Sequence, residues 1–99
     1  MTDPIYRPQP ALLPSAADLK ARLIAAKTGD VFIYHHGFLS ADREHCATVH
    51  AIGQTASKMA ELGHATLRQR KLRNMLYAYE LRVTTTHAER QALREPAQA

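Results

Sequence analysis

The chain has 99 residues, 45% of them hydrophobic and 22% charged, with a formal net charge of +4. That is one domain, able to bury roughly 60 to 65% of its unfolded surface around a single core, and too small for two. No run approaches the ~20 apolar residues of a membrane-spanning helix, so helical insertion is excluded.

Residues 1–14 carry Pro4, Pro8, Pro10 and Pro14. These remove backbone donors and turn the preceding residues away from helix, which predicts an extended arm. The opening twenty residues also hold an early acid and lack the continuous apolar stretch of a signal peptide. The single cysteine, Cys46, has no internal partner, so a cytoplasmic location is expected. Ser15 is placed as an N-cap, with Asp18 three residues on. Ala16, Leu19, Leu23 and Ala26 follow at helical spacing, predicting a helix over 16–27 that stops at Gly29. Asp30 to His36, reading DVFIYHH between Gly29 and Gly37, predicts a short and largely buried strand.

Ser40 then reads as the cap of a second helix, with Asp42 and Glu44 near its positive end. The helix spans 41–62, either continuous and about 33 Å long or broken near Gly53. Cys46, Val49, Ile52, Ala56, Met59 and Ala60 form its apolar stripe; Arg43, Ala47, Gln54, Lys58 and Glu61 face the other way. Gly63 supplies the stop. Ala65 to Arg70 and Met75 to Val83 predict a hairpin joined around Lys71 to Asn74. In its second strand Met75, Tyr77, Tyr79, Leu81 and Val83 alternate with Leu76, Ala78, Glu80 and Arg82. Thr86 and Glu89 form a capping box for a short terminal helix to about Glu95, ended by Pro96 and offering few apolar residues for docking, so 84–99 reads as a short helix or a mobile tail. The expected fold is therefore α+β, in the order helix, strand, helix, strand, strand and short helix. That order is close to the winged-helix plan, with 15–83 as the domain body.

The whole net charge falls in residues 65–83, where Arg68, Arg70, Lys71, Arg73 and Arg82 stand against Glu80 alone; the rest of the chain balances to zero. Segregated charge of this kind attracts phosphate or acidic surfaces. Arg68, Arg70, Lys71 and Arg73 are thus the main candidate contacts, the alternative being a strand edge kept soluble by charge. Gln54 and Lys58 on the helix before the hairpin are candidate groove-reading residues, or else an ordinary solvent face. Cys46 and His50 have i, i+4 spacing, yet nothing completes a ligand set, so no metal is expected. No nucleophile elbow or glycine-rich phosphate loop occurs, and no cofactor or catalytic residue is assigned. Tyr34, His35 and His36 read as structural, because no carboxylate is spaced to orient an imidazole. Tyr77 and Tyr79 read as core rather than as a base-stacking platform.

The run Gly29 to Arg43, GDVFIYHHGFLSADR, resembles a pattern in uncharacterised small phage and prophage proteins of winged-helix-like type. The matching positions are Gly29, Tyr34, His35, Gly37, Leu39, Asp42 and Arg43, joined in the hairpin by Gln69, Arg70 and Tyr79. The resemblance covers about residues 18–83 and implies origin and architecture, without an activity. The tip KLRN stands where that group carries a glycine-rich turn. Together these readings give the expectation of a phage-encoded binding protein. It would use its basic hairpin on nucleic acid, duplex DNA first, or on a host nucleoprotein. The alternative is an antagonist of a host system that grips an acidic host protein.

Overall fold

The computed structural model describes residues 6–93. The chain is an α+β domain with elements α1 (Ala16–Ala25), β1 (Val31–Gly37), α2 (Leu39–Asp42), α3 (Ala47–Glu61), β2 (Ala65–Arg73), β3 (Leu76–Val83) and α4 (His87–Gln91). The strands form one antiparallel sheet in the order β1-β3-β2. Leu19 and Leu23 of α1 and Ile52, Ala56 and Met59 of α3 pack with Tyr34, Tyr79, Leu81 and Val83 of the sheet in one buried cluster. Each large apolar side chain buried there contributes roughly 1.5–3 kcal/mol. Among the described residues no helix is long and apolar enough to cross a membrane.

Local signals act where they are read. The Ser15 hydroxyl accepts from the Asp18 backbone N–H at 3.1 Å, and Asp18 pairs with Arg22 one turn on at 2.6 Å. Helix α1 ends two residues earlier than expected, at Ala25, where Ala26 turns extended with ψ 167. Thr86 and Glu89 close their capping box in both directions.

The second helix differs from both expectations. It is neither continuous nor broken at Gly53; it divides at Arg43–Cys46, between α2 and α3. Glu44 and His45 donate backward to Ala41 and Asp42 in tight three-residue turns, and Cys46 is extended at φ −149. Gly53 stays inside α3, where Leu39 of α2 and the following Arg43 lie 3.6–3.7 Å from the position of a Cβ. Ser40 is not the cap: Phe38 occupies that place without a side-chain bond, and the Asp42 carboxylate accepts from the Phe38 N–H at 3.1 Å.

Two bulges set which side chains face the core. Between Ile33 and His35 the β1 register slips against β3. The extra residue turns two consecutive side chains inward, which regular alternation forbids. Tyr34 and His35 are both buried, whereas Val31 and His36 are exposed, so β1 is less buried than its composition suggests. The second slip lies between Lys71 and Arg73 of β2. The hairpin strands run further than expected, to Arg73, and leave Asn74 and Met75 as a two-residue turn. Met75 therefore belongs to the turn rather than the strand, and it adopts φ 58. For a residue with a Cβ this conformation costs about 1–2 kcal/mol.

Helix α4 has the docking group that its apolar content lacked. Arg90 is fully buried and donates to the carbonyls of Thr85 and Ala26, the latter at the C-terminal end of α1. The predicted arm is described only from residue 6 onward, and it is tied down: Leu13 enters the core, and Tyr6 and Gln9 reach Asp42. The remainder of the arm, 1–5, and of the tail, 94–99, lies outside the described residues.

Candidate nucleic-acid interface

The sheet separates two groups of expected site residues. One face of β2 and β3 carries Leu67, Tyr79, Leu81 and Val83 and packs against the helices. Strand alternation puts Thr66, Arg68, Arg70, Glu80 and Arg82 on the opposite, helix-free face, where Thr66 pairs with Arg82 and Arg68 with Glu80. The bulge returns Arg73 to this face opposite Leu76, while Lys71, opposite Tyr77, lies on the helix side. Gln54 and Lys58 are exposed on α3, in the helical layer on the other side of the sheet from Arg68 and Arg70. The six expected residues thus do not form one surface.

Glu80 organises the arginines. Its carboxylate accepts from Arg68 Nε at 3.3 Å and from Arg70 Nε at 3.2 Å and Nη2 at 3.1 Å. The Glu80 side chain is 12% exposed beneath guanidiniums that are 75% and 54% exposed. Such pairs contribute only ~0–1 kcal/mol each to stability. They fix two forks side by side and leave further N–H groups pointing to water. Next to them a shallow cleft of about 200 Å³ is lined by Val31, Thr66, Arg68, Glu80 and Arg82. Arg82, missed as a contact, joins this face through the strict alternation of β3.

On the helical side, Arg43 borders two clefts, one with Ser40 and Gln69 and one with Gln54 and Lys58. Its Nε donates to His50 Nδ1 at 3.0 Å, a partner absent from the expected set. Among the described residues no three His, Cys, Asp or Glu side chains gather as a metal set.

The expectation that no carboxylate orients an imidazole is overturned. His35 Nε2–H donates to Asp42 Oδ2 at 2.6 Å, with both side chains buried. Asp42 Oδ1 accepts from the Tyr6 hydroxyl and from the Gln9 N–H at 3.2 Å. Burial alone would raise the Asp42 pKa, but these donors and Phe38 N–H outweigh it and hold the carboxyl below its ordinary value. Burial and the adjacent carboxylate push the Tyr6 phenol up to about 12, which keeps it a donor. Around the pair, His35 lies against Tyr79, Tyr79 against Tyr34 and Tyr77, and Tyr77 stacks on Phe38 at 6.1 Å. The Tyr79 hydroxyl accepts from Leu39 N–H at 3.0 Å. Both tyrosines thus belong to this packing. Fully buried, the pair braces the β1–α2 corner.

Gly37 allows that brace to close. At φ +141 it takes a conformation disfavoured for side chains, and a Cβ there would run into Asp42 Oδ2 and come within 2.7 Å of Gln9 Cγ. Gly37→Ala is expected to destabilise the domain by about 2–4 kcal/mol, measured by urea unfolding, because four donors prevent Asp42 from moving aside.

Comparison with known protein families, curated proteins and solved structures finds no match.

Proposed function

We propose that this chain is a small cytoplasmic binding protein of winged-helix type and phage or prophage origin. It engages duplex DNA through the arginine face of its hairpin. The reading is carried by one observation: among the described residues, Arg68, Arg70, Arg73 and Arg82 share the helix-free face of the hairpin with a single carboxylate, Glu80. The element order and the β1-β3-β2 sheet support the winged-helix part, with α2 and α3 in place of the helix-turn-helix and β2–β3 as the wing. A second reading, a grip on an acidic host protein, draws on Glu80 itself, since forks already satisfied by one carboxylate suit others.

Four arginine–phosphate contacts give an expected slope of log affinity against log salt of about −3.6, and each arginine replaced by glutamine reduces it by about 0.9. Lys58→Gln, on the far side of the sheet, is expected to leave the slope unchanged. A fluorescence titration of labelled duplex at several salt concentrations checks both. A slope near zero, with a nuclease-resistant protein captured by the same arginines, decides for the acidic partner.

A further inference from the structure

The hairpin tip combines features that charge alone does not explain. Leu72 and Met75 are 44% and 43% exposed, two of the five large apolar side chains that the described surface leaves in water. Leu72 sits in the register slip between Lys71 and Arg73, and bulges of this kind re-aim a side chain. Met75 holds φ 58, a conformation that glycine or asparagine adopts more readily. Costly backbone at an exposed apolar residue points to a role outside the fold.

Charge frames these two side chains on both faces of the ribbon. Arg70 and Arg73 lie on the helix-free face and Lys71 on the other, with Asn74 in the turn, and no acid stands between Arg68 and Met75. A flat phosphate surface would engage one face only. Cations on both faces of a two-stranded ribbon suit a groove walled by two phosphate rails, and an apolar tip suits the base steps at its floor. Leucine and methionine are among the residues that part stacked base pairs from the minor groove and bend the duplex.

We propose that Leu72 and Met75 form an apolar wedge that enters the minor groove of duplex DNA between Arg70 and Arg73 on one rail and Lys71 on the other, kinking the helix. This rests on the DNA reading above and adds a mode of engagement to it. The test uses the full chain and a 30-base-pair duplex carrying a donor and an acceptor dye at its ends, read by energy transfer. Binding of the unaltered chain is expected to raise the transfer efficiency. The double variant Leu72→Ser, Met75→Ser is expected to bind about tenfold more weakly, with the same salt slope and no rise in transfer. Both positions are solvent-exposed, so an unchanged urea midpoint confirms that the variant is folded. Salt-dependent binding with no change in transfer overturns the wedge and leaves the DNA reading standing. Absence of duplex binding overturns both.

Discussion

Asp42→Ala is expected to lower the free energy of unfolding at pH 7 by about 3–5 kcal/mol, measured by urea denaturation. Removing one partner of a buried pair leaves the other without compensation. Here the stranded groups are the His35 imidazole and the Phe38, Gln9 and Tyr6 donors, all of which converge on one carboxylate. Measured against the 5–15 kcal/mol of a typical domain, the loss brings the chain close to unfolding. Asp42→Asn keeps the shape and one acceptor, so it is expected to cost less. The carboxylate also fixes a pH dependence. Its folded pKa lies below the ordinary 3.8, so as pH falls the unfolded chain takes up the proton first. The contribution is complete above about pH 4 and is lost as pH drops through the folded value. The gap between the natural chain and Asp42→Ala should therefore narrow in acid. A loss below 1 kcal/mol at pH 7 would show that the corner closes without the pair.

The Asp42 network also marks what the sequence could and could not disclose. Interactions within one helical turn were legible: Ser15 with Asp18, Thr86 with Glu89, and the Val49, Ile52, Ala56, Met59 stripe all follow from a spacing of three or four residues. Alternation in β3 placed Tyr77, Tyr79, Leu81 and Val83 on one face, and the sheet keeps them there. The His35–Asp42 bond is seven residues apart and needs three events at once. The β1 bulge turns His35 inward, Gly37 makes room, and α2 brings Asp42 back over the strand. No single periodicity contains that combination. The site was legible to the same degree. Strand spacing put Arg68 and Arg70 together, but the Leu72 bulge, which sends Lys71 and Arg73 to opposite faces, has no signature in composition. The helix break was misread because Gly53 carries a helix-breaking propensity of only about 1 kcal/mol. Tertiary bonding of Asp42 instead unwinds the chain at Arg43–Cys46, where no glycine or proline announces it.

Arg90→Ala is expected to destabilise the domain by about 2–4 kcal/mol, while Arg90→Met costs only about 1–2. Arg90 is the largest fully buried side chain, and the partners it bonds among the described residues are backbone carbonyls. Its charge is compensated by carbonyl dipoles, including that of Ala26 at the C-terminal end of α1, the end of a helix that favours a cation. Alanine leaves both a void and two carbonyls without donors. Methionine refills most of the void, and it also removes the buried Nε, which has no hydrogen-bond partner among the described residues. An unsatisfied buried donor costs roughly 1–3 kcal/mol, so its removal offsets part of the loss. Equal losses for the two variants would mean that the carbonyl bonds, and not the packing, dock α4. Because Arg90 docks on backbone carbonyls, which do not titrate, the Arg90→Ala loss should be the same at pH 7 and in acid. The Asp42→Ala loss narrows over that interval, so urea unfolding at two pH values separates the clamp that closes the C-terminal helix from the brace that closes the β1–α2 corner.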